Sequence, residues 1–216
     1  MDSRTVRTEL LSVTATEILD AGARRVAIDG VDGAGKTHFA DELAAVLTER
    51  GVPVVRASVD GFHHPPAIRH VRGRGSPEGY FHDSYDYARL TGLLLDPLGP
   101  DGSGRFVRAV YDVHAESPVD VVTETAAPGA ILVLDGIFVH RDELLRYWDY
   151  SVWLEVPFDV SIPRGAARGY GDPDPAAAAN RRYIEGQRYY LAACDPRSRA
   201  TAVVDNTDLA RPLRLR

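Results

Sequence analysis

Lysine occurs once in this chain: of 25 basic residues, Lys36 is the single one that is not arginine. It falls inside Gly30-Val31-Asp32-Gly33-Ala34-Gly35-Lys36-Thr37, which fits the pattern G-x-x-x-x-G-K-[ST] at every fixed position. The chemistry open to these residues is phosphate binding. Closely spaced glycines let successive backbone N–H groups turn inward around phosphate oxygens with no Cβ in the way. Lys36 supplies a cation for the β and γ phosphates, and the Thr37 hydroxyl an oxygen ligand for Mg2+, a hard ion that prefers oxygen. Gly30, Asp32, Gly33, Ala34, Gly35, Lys36 and Thr37 are therefore the expected contacts to ATP.

Transfer of a phosphoryl group also needs a proton acceptor for the attacking hydroxyl and positive charge on the migrating group. Asp60 and Asp135 each close an apolar run and are each followed by glycine. Asp60 is the expected proton acceptor and a metal contact, and Asp135 the expected metal ligand, directly or through water. Arg164 and Arg168 lie four apart, a spacing that puts both on one helical face pointing toward the transferring group. Arg181 and Arg182 reach in from the next helix, Arg182 on the substrate side. Phe62 and His63 are one candidate wall of an acceptor pocket, and Tyr111-Asp112-Val113-His114 a second. His63, His64 and His70 sit in a proline-broken loop without the spacing of zinc ligands.

The elements that must hold these groups can be read outward from the motif. Arg25 to Asp29 is a short buried strand before the loop, and Phe39, Leu43, Val46 and Leu47 mark one face of a helix after it, with its positive end at the phosphates. Val52 to Val59 is a second strand ending at Asp60. Ala130 to Leu134 is a third, ending at Asp135, and Ser151 to Val156 a fourth. Residues 3 to 21 form an amphipathic helix through Val6, Leu10, Val13 and Leu19, outside the sheet. Phe106 to Val110 alternates like a strand, with Val119 to Val122 as its partner. Ala202 to Val204 is the last strand.

Residues 61 to 82 hold four glycines, three prolines, four histidines and three arginines, a composition that marks a functional loop. An arginine-bearing helix beyond Pro163, the breaker run Gly169 to Pro175 and a long helix from Ala176 to Ala193 describe a hinged lid. Strands separated by helices imply an α/β fold, a mostly parallel P-loop sheet flanked by helices, with ligands at the carboxyl ends of the strands. On that topology Gly30, Asp60 and Asp135 emerge on one edge. The expected organisation is one domain over residues 1–216, with an N-terminal helix at about 3–21, an acceptor loop at about 61–82 and a lid at about 164–182.

Composition narrows the partners. A net charge of −6 and scattered arginines argue against a nucleic-acid binder. The first thirty residues carry no long apolar stretch, and the aliphatic run at 130–134 is too short to cross a bilayer, so a cytoplasmic location is expected. Cys194 is the single cysteine, which rules out an intrachain disulfide or a thiolate cluster. The expected partners are ATP and a small-molecule acceptor, with no nucleic acid and no membrane; assembly into a homo-oligomer is left open.

Taken together, GVDGAGKT at 30–37, VDGF at 59–62, DSYD at 83–86, VYD at 110–112, LDGIF at 134–138 and VVDNTD at 203–208 make the chain resemble the uridine kinase and phosphoribulokinase group of P-loop kinases. The resemblance runs from Val26 to Asp208 with the pieces in order. It implies that Asp60 is the catalytic base, that Asp135 helps hold magnesium, that Arg164 and Arg168 are lid arginines, and that Tyr111 and His114 meet a nucleobase. Asp135 stands where the group usually has glutamate, and Tyr80 where its nucleoside kinases place an aspartate on the ribose. Gly75 to Tyr80 is also similar to the pantothenate kinases of the group. The activity implied is ATP- and Mg2+-dependent transfer to a hydroxyl of a small metabolite, with uridine or cytidine first. The alternatives are pantothenate or another small metabolite, a nucleoside monophosphate as in thymidylate kinase, whose loop Asp32 to Thr37 also resembles, or an ATP-binding regulatory NTPase.

Overall fold

In the computed structural model, which describes residues 3–216, the short apolar runs come together as the strands of one sheet. β1 (Arg25–Gly30), β2 (Val54–Ser58), β3 (Ile131–Asp135), β4 (Tyr150–Glu155), β5 (Ala202–Asp205) and β6 (Leu213–Arg214) lie in the order β6–β5–β4–β1–β3–β2. The pairings are parallel from β2 through β5, and β6 closes the far edge antiparallel to β5. All residues of β1 and β3 are buried. Both faces of these strands are covered, which is why Val26-Ala27-Ile28 and Ile131-Leu132-Val133-Leu134 run apolar without alternation. Asp135 pairs with Ile28 on one side and Ser58 on the other. The carboxyl ends of β1, β2 and β3 are therefore level, and the segments leaving them share one rim.

The covering helices are α1 (Ser3–Asp20), α2 (Lys36–Glu49), α3 (Pro77–Asp83), α4 (Phe158–Ala166) and α5 (Arg181–Cys194). α2 starts where Gly35 takes a left-handed φ of 91° and buries Phe39, Ala40, Leu43 and Leu47. α1 packs on α2, but through Leu11, Thr14, Ala15 and Ile18. Val13 and Leu19, expected on that face, are 49% and 36% exposed. The small Thr14 and Ala15 allow close approach of the two helices, a signal that a search for large apolar side chains passes over.

Three other expectations shift. The segment 61–82 is not a bare loop: Pro66–Arg69 forms a helical turn and α3 follows. Ser76 caps α3 by accepting from the Gly79 N–H, and Pro77 presets its first turn. Arg105–Phe106 pairs with Glu124–Thr125, and Tyr111–Asp112 with Ser117–Pro118, in place of the expected ribbon to 119–122. Asp112 closes that second turn by accepting from the His114 and Ala115 N–H groups, and Val121 and Val122 are left exposed. α4 begins at Phe158, before Pro163 rather than after it, and ends at Ala166. No helix among the described residues is long and apolar enough to cross a membrane.

Candidate active site

A cleft of about 720 Å3 opens on the rim where β1, β2 and β3 end, within the size range of small-molecule sites. Lys36, Thr37, Asp60 and Asp135 all line it. Lys36 Nζ donates to the carbonyls of Gly30 (2.9 Å) and Val31 (3.0 Å), which holds the ammonium over the loop with one of its three donors to spare. The first N–H groups of α2 have no intrahelical acceptor and point into the same space. Gly33 has φ 76°, and a Cβ there would lie 2.0 Å from the Ser161 carbonyl oxygen of α4. Glycine is thus required at this position twice over, by conformation and by contact.

The metal side is explicit. Thr37 Oγ1 donates to Asp135 Oδ2 at 2.8 Å, so the hydroxyl and the carboxylate expected around Mg2+ already touch. The other oxygen, Asp135 Oδ1, is buried with no aligned hydrogen bond and lies 2.7 Å from Arg56 Nη2. Arg56 also pairs with Asp41 at 2.8 Å. The Thr37 hydroxyl and the Asp135 carboxylate are oxygen donors of the kind that suits a hard oxygen-seeking cation. Arg56 went unnoticed in sequence because a lone arginine inside a strand has no motif around it.

Asp60 is exposed at the cleft, and Tyr85 orients it by donating to Oδ1 at 3.0 Å. Burial, reinforced by the Asp60 charge, pushes the Tyr85 phenol well above its ordinary range, so it stays a donor. His63 Nδ1 lies 2.9 Å from the Asp60 carbonyl and its ring is 4.4 Å from that of Tyr85. Burial lowers the His63 pKa, the Asp60 contacts only partly offsetting it.

Asp32 is held from across the molecule. Its N–H donates to Gln187 Oε1 at 2.7 Å, and its Oδ2 accepts from Tyr80 OH at 2.7 Å and from Gln187 Nε2 at 3.1 Å. Burial raises the Asp32 carboxyl pKa against the lowering effects of Lys36 and Tyr80. Three residues before Asp32, the buried Asp29 accepts from Gly30 N (2.7 Å), His140 Nδ1 (2.7 Å) and Tyr190 OH (2.5 Å). Asn206, beyond β5, donates to the Ala34 carbonyl at 2.7 Å. The phosphate loop is thus clamped by Gln187, Tyr190, His140 and Asn206, none of which a local motif could reveal.

Of the remaining expected residues, His63, Tyr80, His114, Arg168 and Arg182 line the cleft. Five others are placed differently. Phe62 is fully buried in the core beneath the cleft, because the turn Val59–Phe62 points Phe62 inward after Asp60 points out. Tyr111 is buried, its hydroxyl donating to Glu116 at 3.1 Å; His114, two residues past that strand, takes the place on the wall beside Tyr170. Arg164 donates to the carbonyls of Asn206 and Thr207 and does not share a helical face with Arg168, since α4 ends between them. Ala34 is buried, its N–H spent on the Val31 carbonyl at 3.0 Å, so it shapes the loop from behind. Gly30 likewise lies behind the cleft wall, its α-carbon packed on Leu154.

No family model matches the chain, and no curated protein matches it in sequence. Solved structures match in fold. A protein from Bacillus stearothermophilus described as a possible uridine kinase is 24% identical, with a TM-score of 0.72 over 91% of this chain and 96% of that one. A provisionally named fructose transport system kinase from Silicibacter sp. TM1040 is 22% identical, with a TM-score of 0.65 over 85% and 95%. D-glycerate 3-kinase from Cryptococcus neoformans is 13% identical, with a TM-score of 0.57 over 84% and 88%. The architecture of this chain is that of the P-loop kinases. The expected α/β class, with a mostly parallel helix-flanked sheet, holds.

Proposed function

We propose that the protein is a small-molecule kinase that moves the γ-phosphoryl group of ATP to a hydroxyl of its acceptor. The observation that carries this reading is the sharing of one cleft by Lys36, Thr37, Asp135 and Asp60, with Thr37 and Asp135 in contact. Binding of the triphosphate falls to the loop amides and Lys36. Thr37 and Asp135 are the residues to hold Mg2+, which when bound neutralises charge on the β and γ phosphates. Asp60, steadied by Tyr85, takes the proton of the acceptor hydroxyl as that oxygen attacks phosphorus. Arg168 stands at the cleft to meet charge on the transferring group.

Uridine and cytidine are the acceptors that the sequence resemblance puts first. Of the two residues assigned to a base, His114 lines the cleft and Tyr111 does not. The deciding assay measures ADP release and acceptor phosphorylation over nucleosides, nucleoside monophosphates, pantothenate, hydroxy acids and sugars. A product phosphorylated on a hydroxyl, lost with Asp60→Asn, is the expected result. ATP turnover without any phosphorylated acceptor, unaffected by Asp60→Asn and stimulated by a protein partner, is the outcome that would replace the kinase with a regulatory NTPase.

A further inference from the structure

Resting on the kinase reading, we infer that the acceptor carries an oxyanion, a carboxylate or a phosphate, beside the hydroxyl it offers, and that Arg182 binds that oxyanion. Arg182 is the second residue of α5 and lines the cleft next to the 61–82 segment. Its guanidinium lies 5.6 Å from the Tyr80 ring centre and 5.7 Å from that of Tyr183, so two aromatic rings hold the charged plane in position.

Among the described residues no carboxylate lies within 4.0 Å of Arg182; its nearest acceptors are His70 Nδ1 at 3.4 Å and the Arg69 carbonyl at 3.5 Å, both long. Its Nε is buried with no hydrogen-bond partner. Burial together with Arg182, Arg69 and Arg74 drives the His70 imidazole below its ordinary pKa, so that ring stands beside Arg182 as a neutral acceptor.

Two neighbouring arginines set the contrast. Arg69, on the same wall, is matched by both oxygens of Glu116 at 2.6 and 2.5 Å. Arg181, one residue before, is exposed and paired with Glu185 at 3.0 Å. Arg182 is half-buried with two long contacts and no carboxylate partner among the described residues, and it stands in the first turn of a helix, where the backbone dipole disfavours a cation. A partly buried guanidinium left this way is costly unless something with matching geometry occupies its fork, and carboxylate and phosphate are the groups that match. The oxyanion of the acceptor supplies that match when the site is filled. Asp60, which lines the same cleft, is left for the hydroxyl.

The test compares paired acceptors that differ in one group: hydroxy acids and sugar phosphates against the corresponding neutral polyols and nucleosides, assayed with the wild-type chain, Arg182→Gln and Arg182→Lys. The expected result is that the best acceptor is anionic and that Arg182→Gln raises its KM by roughly 10- to 100-fold, with the rise confined to the acceptor. Arg182→Lys, which keeps the charge but loses the fork, should recover only part of it. Whether the hydroxy acids or the sugar phosphates respond separates carboxylate from phosphate. A neutral best acceptor, or an anionic one whose KM ignores Arg182, overturns the inference while leaving the kinase intact. A rise in the KM for ATP instead would overturn it by assigning Arg182 to the nucleotide. Phosphorylation of no acceptor at all removes the kinase reading itself.

Discussion

The two halves of the cleft are built on different principles. On the proposed kinase reading, which divides the cleft into a phosphate half and an acceptor half, the phosphate half is made of contiguous chain: the loop from Gly30 to Thr37, its backbone amides, and one side-chain bond to Asp135 at the level end of a neighbouring strand. The acceptor half is made of side chains gathered from distant segments, with Tyr80 and His63 from one, His114 from another and Arg182 from α5. Backbone geometry fixes what the first half can bind, whereas the second half can change its ligand by exchanging a few side chains on an unchanged frame.

If this contrast is sound, damage to each half should have a distinct signature. The largest effect is expected for Asp60→Asn, which sits between the halves: kcat should fall by roughly 10²- to 10⁴-fold, while binding of an ATP analogue, followed by calorimetry, is retained. Asp135→Asn should raise the Mg2+ concentration needed for half-maximal rate by roughly 10- to 100-fold and leave the choice of acceptor unaltered; a changed acceptor preference would blur the division. Gly33→Ala strikes backbone rather than side chain. With a positive φ and the Ser161 carbonyl in the way, it should cost roughly 1–3 kcal/mol of folding stability, measured by urea denaturation.

The smallest effect concerns Asp32, which joins the halves through Tyr80. Burial raises its pKa above the ordinary 3.8, so in the pH window between these two values the folded state binds more protons than the unfolded one. Stability contributed by this group therefore falls as pH rises through the raised value. Asp32→Asn should stabilise the fold at neutral pH, and the gain over wild type should shrink as the solution is acidified. A gain that grows in acid would show that the hydrogen bonds from Tyr80 and Gln187, rather than burial, govern this carboxylate.

The same contrast explains what could be read before the structure. Gly30 to Thr37, Asp60 and Asp135 were legible because glycine freedom, strand termini and a strict local pattern leave their marks within a few residues. The parallel sheet was legible from apolar runs alternating with helices. The neighbours that do the positioning were not: Tyr85 on Asp60, Gln187 on Asp32 and Asn206 on Ala34 act across 25, 155 and 172 residues. Arg164 and Arg168 do not share a helical face for a related reason, since the four-residue spacing carries meaning only while the helix lasts and α4 stops at Ala166; Arg168 lines the cleft all the same. Phe62 and Tyr111 stand next to polar residues in sequence, but the turn Val59–Phe62 and the short strand Tyr111–Asp112 carry their side chains into the interior.

α5 is fastened at two points to the residues on either side of the loop start, through Tyr190 on Asp29 and Gln187 on Asp32, and Gly186 seats it directly against α3. Helix and loop are thereby tied together, so on the kinase reading the give needed to admit and discharge nucleotide would fall on the fourteen-residue bridge from 167 to 180. Stiffening it at Gly169 or Gly171, whose φ values of 89° and 73° only glycine adopts at ease, would slow release of ADP before it disturbed the chemistry.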